Sequence, residues 1–258
     1  MILKPSTEAE LFAWPNGKRA AVSLSFDDGR PSQLDRGMPI LDGCGARATF
    51  YVSLENVRRR VGDWARAAER GHEIGNHSMT HPCSGNFAFS RGKALEEYTL
   101  PRIEGDLLQA SEAIREALGT TPVTYAYPCG QTFVGRGKEC RSYVPVVARH
   151  FLVGRGAFDE TCNDPAFCDL AQAMSRDGDA CSLAELRAMV DQAVEAGGWL
   201  ILMGHDVGEA GLRQVTVATA LEALCRHMLD AGSGIWLDTV AAVGRYVQER
   251  RQTLQANP

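Results

Sequence analysis

Val22-Ser23-Leu24-Ser25-Phe26-Asp27-Asp28-Gly29 is a short apolar run that ends on two carboxylates and a turn residue. Side chains alternate sides along an extended chain, so adjacent aspartates at a strand end point in different directions. One can then bind an ion while its neighbour stays free for proton transfer. About fifty residues later, His77-Ser78-Met79-Thr80-His81 places two histidines four positions apart. That spacing brings both imidazoles to one face of a helix or helical turn, within reach of a single ion that a distant carboxylate could complete. A third histidine, His205, follows the late apolar run Trp199 to Met203, so three of the six histidines acquire a common purpose.

Working outward, runs rich in β-branched, leucine or aromatic residues recur at Ala21 to Phe26, Thr49 to Leu54, Val123 to Tyr127, Ala148 to Val153, Trp199 to Met203 and Ile235 to Leu237. Each reads as a mostly buried strand. Helical patterns lie between them at Ile103 to Leu118, Leu183 to Ala196 and Val215 to Ala231, with a further helix expected from near Thr239. Ser182 and Glu185 make a capping-box pair, and Gly71, Gly119, Gly197 and Gly232 stand where helices should stop. Strand and helix in alternation argue for a parallel sheet with crossover helices. Asp27-Asp28, Pro128 to Gly130 and His205 all directly follow strand-like runs, as in barrels that assemble their sites from the C-terminal ends of strands. The expected fold is therefore α/β, an irregular (β/α) barrel of seven or eight strands, with residues 1–258 as one domain. Cys83 to Pro101 and Gln131 to Ser142 read as rim loops that shape access.

At 258 residues, 45% hydrophobic, the chain can bury a full core, and its net charge of -5 with mixed signs offers no basic face to nucleic acid or anionic membrane. Met1 to Glu10 lack the apolar core of a signal peptide, and Trp199 to Met203 is too short to span a bilayer. A cytoplasmic protein is expected. The eight cysteines contain no CxxC pair and read as reduced thiols used as small apolar residues, with Cys83 a buried filler. A zinc site among Cys140 to Cys181 is the weaker alternative, because the spacing is irregular. His72, His150 and His227 read as structural or surface residues.

The chain resembles the polysaccharide deacetylase family, the carbohydrate esterases built on the nodulation-factor deacetylase homology domain. The resemblance runs through Trp14-Pro15-Asn16-Gly17-Lys18-Arg19, Ser25 to Gly29, Ala48-Thr49-Phe50-Tyr51-Val52, Gly71 to Ser78 with His81-Pro82, Ala126-Tyr127-Pro128-Cys129-Gly130 and Trp199 to Asp206. It implies a divalent metal, Zn2+ first with Co2+ or Ni2+ as alternatives, held by Asp28, His77 and His81. Asp27 would be the general base and His205 the general acid. Two imidazoles and one carboxylate agree with this, since they leave positions open for water and a substrate oxygen. Tyr127, Pro128, Cys129 and Gly130 would bound the substrate, with a Cys129 N–H toward the oxyanion, and Leu202 or Met203 would lie against the acetyl group. The substrate implied is an acetylated sugar or oligosaccharide; the oligomeric state stays open.

Two departures from the family pattern stand out. Many relatives carry an arginine two positions before the proline of the third motif, paired with the base, where this chain has Ala126. Its absence should raise the pKa of the base unless another cation, Arg136 or Arg155, takes its place. The aspartate that tunes the histidine acid is not recognisable between Phe158 and Asp179, where Asp159, Asp164, Asp169 and Asp177 are candidates. Two alternatives follow: a cytoplasmic hydrolase of cyclic amides or similar small C–N bonds, and a non-catalytic sugar-binding homologue.

Overall fold

The structure, a computed structural model, describes residues 12–256. The leaderless reading of Met1 to Glu10 lies outside these residues. Eight strands, β1 (Ala20–Asp28), β2 (Thr49–Val52), β3 (Glu73–Asn76), β4 (Thr124–Ala126), β5 (Val153–Arg155), β6 (Arg176–Asp177), β7 (Trp199–Gly204) and β8 (Ile235–Leu237), form one parallel sheet. Its order is β5-β4-β3-β2-β1-β7-β6. One edge of β1 is shared: β8 pairs with Ala20 to Val22 and β2 with Ser25 to Asp28. The sheet curls until its ends meet, where Ala173 N–H donates to Gly154 O and Gly156 N–H to Ala173 O, both at 2.8 Å. The expected irregular (β/α) barrel results, with seven strands around its wall and β8 wedged in at the N-terminal end.

Among the described residues, eight α-helices flank the sheet: α1 (Met38–Cys44), α2 (Leu54–Arg59), α3 (Val61–Glu69), α4 (Leu100–Leu118), α5 (Val144–His150), α6 (Leu183–Ala196), α7 (Ala218–Leu229) and α8 (Val240–Ala256). β1 is buried on both faces except at Asp28, which explains why it reads as a near-continuous apolar run. Val22, Leu24 and Phe26 pack in the large core with residues of α1, α6 and α7, each worth about 1.5–3 kcal/mol of burial. The alternate residues Ser23 and Ser25 instead meet Trp199 Nε1 at 3.0 Å and Leu202 O at 2.9 Å.

The start of α8 sits at the N-terminal ends of β2 and β3. Val240 N–H donates to Thr49 Oγ1 at 2.9 Å, and Ala241 N–H donates to Glu73 Oε2 at 2.8 Å. These side chains take up first-turn donors that have no partner within the helix. Inside the wall, Gly75 is required by close approach: a Cβ there would come within 2.5 Å of the Tyr51 ring.

Most expected elements appear, with instructive exceptions. The Ser182–Glu185 capping box starts α6, and Gly119 and Gly197 end α4 and α6 in the left-handed conformation. Thr99 accepts from Arg102 N–H and starts α4 a turn earlier than the pattern showed. Ala148 to Val153 is mostly not strand. Pro145 opens α5, which runs to His150, and the strand begins only at Val153. The β-branched Val215–Val217 forms a short strand against Asp206–Gly208 before α7 begins. Gly232 does not end α7; the chain leaves at Asp230, whose carboxylate accepts from Gly232 N–H at 2.8 Å.

Candidate active site

β1 delivers both aspartates at its C-terminal end. Asp27 keeps the strand's alternation and is buried, while Asp28 (φ 72°) turns left-handed and swings its carboxylate onto the rim. Strict alternation would have sent the two side chains to opposite faces; this break brings both carboxylates to the same cleft. Gly29 (φ 63°) continues the turn, and a Cβ there would press on Val52 at 3.2 Å.

The histidine pair is not helical. Ser78 (φ 65°) and His81 (φ 49°) are left-handed, so residues 77–81 form an irregular loop after β3. The physical cause is a competing set of side-chain bonds. Asn76 Oδ1 accepts from Ser78 N–H at 2.7 Å, and Ser78 Oγ accepts from His81 N–H at 2.8 Å. Asp106 of α4 accepts from Met79 N–H at 2.8 Å and from Thr80 Oγ1 at 2.7 Å. Such local bonds offer the backbone an alternative to helix.

The loop still brings the imidazoles together. Asp28 Oδ1 lies 3.7 Å from His77 Nε2 and 3.6 Å from His81 Nε2, and one donor atom from each of the three residues falls within 4.8 Å of the others. Bonds of zinc length at tetrahedral angles would need donors about 3.4 Å apart, so the set fits a divalent ion with little movement. His77 Nδ1 is 3.0 Å from Ala126 O; a carbonyl only accepts, so Nδ1 carries a proton and the ring is oriented with Nε2 toward the other two donors. Arg30 holds Asp28 Oδ2 through Nε at 3.0 Å and Nη2 at 2.9 Å, which leaves Oδ1 for the histidines. Among the described residues this is the one such cluster, so the cysteines between 140 and 181 do not form a metal site.

Burial would raise the Asp27 carboxyl, but the charges of Arg155, His77 and His205 outweigh it and hold Asp27 below the ordinary carboxylate range. Arg155, fully buried on β5, contacts Asp27 Oδ1, donates to Gly156 O at 2.7 Å and lies 5.0 Å over the Tyr51 ring. The cation missing at Ala126 is therefore supplied from the neighbouring strand. Arg136 is not involved; it pairs with Glu97 on the surface.

His205 follows β7, and its Nδ1–H donates to Asp179 Oδ2 at 2.7 Å. Burial would lower His205, yet the Asp179 hydrogen bond with the charges of Asp27, Asp179 and Asp28 raises it. Asp179 also accepts from His205 N–H at 3.2 Å and from Thr216 Oγ1 at 2.9 Å. None of Asp159, Asp164, Asp169 or Asp177 bonds His205. The available signal for Asp179 was the Asp-Gly-Asp segment Asp177-Gly178-Asp179 just ahead of α6. His81, by contrast, is pushed down to about 4 by burial and by the charge of His77, and so stays neutral near pH 7.

These groups open onto a cleft of about 620 Å³ that Asp27, Asp28, His77, His81, Cys129, Met203 and His205 share with Phe87, Phe89 and Phe158. Met203 lines it; Leu202 does not, because it points outward into the helix-facing core with Leu24 and Leu186. Tyr127 also points elsewhere, donating to Ala171 O at 2.7 Å in a cluster with Tyr125 and Tyr143. Pro128 is buried in the turn Pro128–Gly130, where Gly130 N–H and Gln131 N–H bond back to Tyr127 O and Pro128 O. The Cys129 N–H (φ 55°) is the turn donor not spent on that closure.

The cysteines do not all stay reduced. Cys83 and Cys129 form a disulfide with Cα atoms 6.3 Å apart, whereas the other six are free. Cys83 is thus a cross-link and not a filler. It ties the loop after His81 to the turn after β4, which no sequence spacing reveals.

Residues 13–137 match the family model described as polysaccharide deacetylase, in line with the resemblance read from the sequence motifs. It is 34% identical over 98 residues to the chitooligosaccharide deacetylase of Bradyrhizobium sp. (strain ANU 289), covering 38% of this chain and 40% of that protein. The peptidoglycan deacetylase PdaC from Bacillus subtilis shares the fold with a TM-score of 0.56 at 20% identity, over 95% of this chain and 98% of that one. The Puue allantoinase structure shares it with a TM-score of 0.66 at 12% identity, over 92% of each chain. The chain spans only part of the curated relatives it matches, from 10% of one to 40% of another. Among the described residues no helix is long and apolar enough to cross a membrane.

Proposed function

We propose that the protein is a metal-dependent hydrolase that removes acetyl groups from an acetylated sugar or oligosaccharide. The observation that carries this reading is the meeting of Asp28, His77 and His81 donor atoms on a cleft that Asp27 and His205 also line. A divalent cation, Zn2+ first, would be held by these three residues, where it would acidify water and polarise the acetyl carbonyl.

The protein's own groups divide the proton work. Asp27 Oδ1 faces Arg155, which keeps the carboxyl ionised; Oδ2 lies 4.0 Å from His77 Nε2 and is the oxygen available to take a proton from attacking water. Charge that builds on the acetyl oxygen meets the Cys129 N–H, a fixed dipole that needs no reorganisation. His205, whose protonated form Asp179 favours, delivers its proton to the departing nitrogen or oxygen. The two environments thus hold Asp27 as the base and His205 as the acid near neutral pH.

The rim supports a sugar. Phe89 and Phe158 are 61% and 59% exposed, and Phe87 lies 5.5 Å from Phe89 between ring centres. Exposed rings at a polar cleft offer flat apolar faces on which the C–H face of a pyranose can rest, at low entropic cost. The test is acetate release from chitooligosaccharides, peptidoglycan fragments and acetylated xylan, before and after chelation. Release that stops on chelation, returns with Zn2+, Co2+ or Ni2+, and falls by about 10²–10⁴ in Asp27→Asn with metal retained supports the assignment. Ring opening of hydantoin-like compounds with no acetate release would replace it by the cyclic-amide reading, which the allantoinase likeness keeps in view.

A further inference from the structure

Resting on that reading of the site, we propose that the Cys83–Cys129 disulfide is a redox-sensitive positioning clasp that holds the His81 loop against the oxyanion turn. Cys83 lies two residues beyond His81, and Cys129 is the turn residue that lines the cleft. One covalent bond therefore sets the distance between two parts of the site that come from β3 and β4, across 46 residues of sequence.

The surrounding contacts are built about the same junction. Ser84 N–H donates to Gln131 Oε1 at 2.7 Å, which ties the two segments a second time. On the loop side, Cys83 N–H donates to Ser90 Oγ at 2.8 Å, Ser90 Oγ donates to Cys83 O at 2.7 Å, and Leu95 N–H donates to Cys83 O at 3.0 Å. Cys83 is thereby fixed within the Cys83–Leu95 loop. Beyond the disulfide, the junction is spanned by the Ser84–Gln131 bond, by Gly135 N–H donating to Leu95 O at 2.9 Å and by His77 Nδ1–H donating to Ala126 O at 3.0 Å, so opening the S–S bond removes the one covalent tie between the His81 loop and the Cys129 turn and leaves only these hydrogen bonds.

The two sulfurs differ in access. Cys83 is fully buried, whereas Cys129 is half-buried and lines the cleft. A dithiol reductant entering the cleft attacks Cys129 Sγ with one thiolate, forms a mixed disulfide there and expels the Cys83 thiolate. Its second thiolate then attacks its own sulfur of the mixed disulfide and releases the Cys129 thiolate. Two electrons pass from the dithiol, which ends as a disulfide, and its two protons end on Cys83 and Cys129. His81 Nδ1 lies 3.6 Å from Cys83 Sγ, placed to donate a hydrogen bond to the leaving thiolate. The clasp is closed in an oxidising compartment and opened in a reducing one.

The experiment compares the wild type, untreated and reduced with a phosphine that is then removed, with a Cys83→Ser/Cys129→Ser double variant under the same two treatments. Thiols are counted after denaturation, Zn2+ affinity is measured by competition with a chromophoric chelator, and kcat and KM are measured on an acetylated chitooligosaccharide. Six free thiols before reduction and eight after are expected. Reduction should weaken Zn2+ binding by about 10–100-fold and lower kcat more than it raises KM, as for groups that hold metal ligands in place. The double variant should match the reduced protein and ignore the phosphine. Eight free thiols in the untreated protein overturn the clasp, as does reduced protein with unchanged Zn2+ affinity. If no form releases acetate, the deacetylase reading fails, while the thiol count and Zn2+ affinity still decide the clasp.

Discussion

The two ends of the barrel each bury a carboxylate, Glu73 at the N-terminal end and Asp27 at the C-terminal end, and they are driven in opposite directions. Glu73 meets only neutral donors, Thr49 Oγ1, Thr124 Oγ1 and Ala241 N–H, and burial outweighs them to raise it. Asp27 is the more buried of the two residues, yet a guanidinium and two imidazoles lower it. The difference teaches that burial alone does not set the charge of a carboxyl group in this barrel. A full-charge partner makes Asp27 a standing anion, whereas neutral donors make Glu73 a fastening for the start of α8.

Removing the cation should break this contrast most strongly. Arg155→Met leaves Asp27 buried without its counter-charge, so its pKa should climb, kcat at neutral pH should fall by about 10²-fold, and the acidic limb of the pH–rate profile should move to higher pH. The linkage sign follows: a lowered carboxyl contributes stability present above its unfolded pKa and lost as pH falls, and this variant should lose that contribution. An unmoved acidic limb would show that Asp27 does not control it. At the other end, Glu73→Ala strands two hydroxyls and a helix N–H, which should cost about 1–3 kcal/mol of stability by denaturant unfolding. The kcat of the molecules that remain folded should be unchanged.

A smaller effect is expected at the acid. Asp179→Asn removes the charge that raises His205, so the alkaline limb should shift to lower pH and kcat should drop about tenfold. An alkaline limb that stays in place would mean that another group supplies the proton. The smallest effect belongs to the rim. Phe89→Ala should raise KM several-fold on oligosaccharides with kcat nearly kept, because it removes binding shared by ground and transition states. A fall in kcat alone would place Phe89 nearer the chemistry than the rim.

Local pattern was enough for much of this molecule. The run ending in Asp27-Asp28-Gly29, the His77 and His81 pair, the capping box of α6 and the alternation of strand and helix all depend on neighbours within a few residues, which sequence displays directly. Its errors were local rules overruled by contacts. Helical spacing at His77 and His81 gave way to bonds from Asn76, Ser78 and Asp106, and the Ala148 to Val153 run gave way to a helix opened by Pro145. The choice between Leu202 and Met203 depended on which face of β7 meets the cleft, a question of register.

Residue types and their order were thus sufficient to single out Asp28, His77, His81, Asp27 and His205, which the fold brings to one cleft, because each closes a recognisable strand or loop. Which cation faces Asp27, which carboxylate grips His205 and which cysteines join were decided by the fold alone. Arg155 lies 128 residues from Asp27, Asp179 lies 26 from His205 and Cys83 lies 46 from Cys129. Contacts across such separations are fixed by strand order and by the curl of the sheet, and no short-range periodicity carries that information.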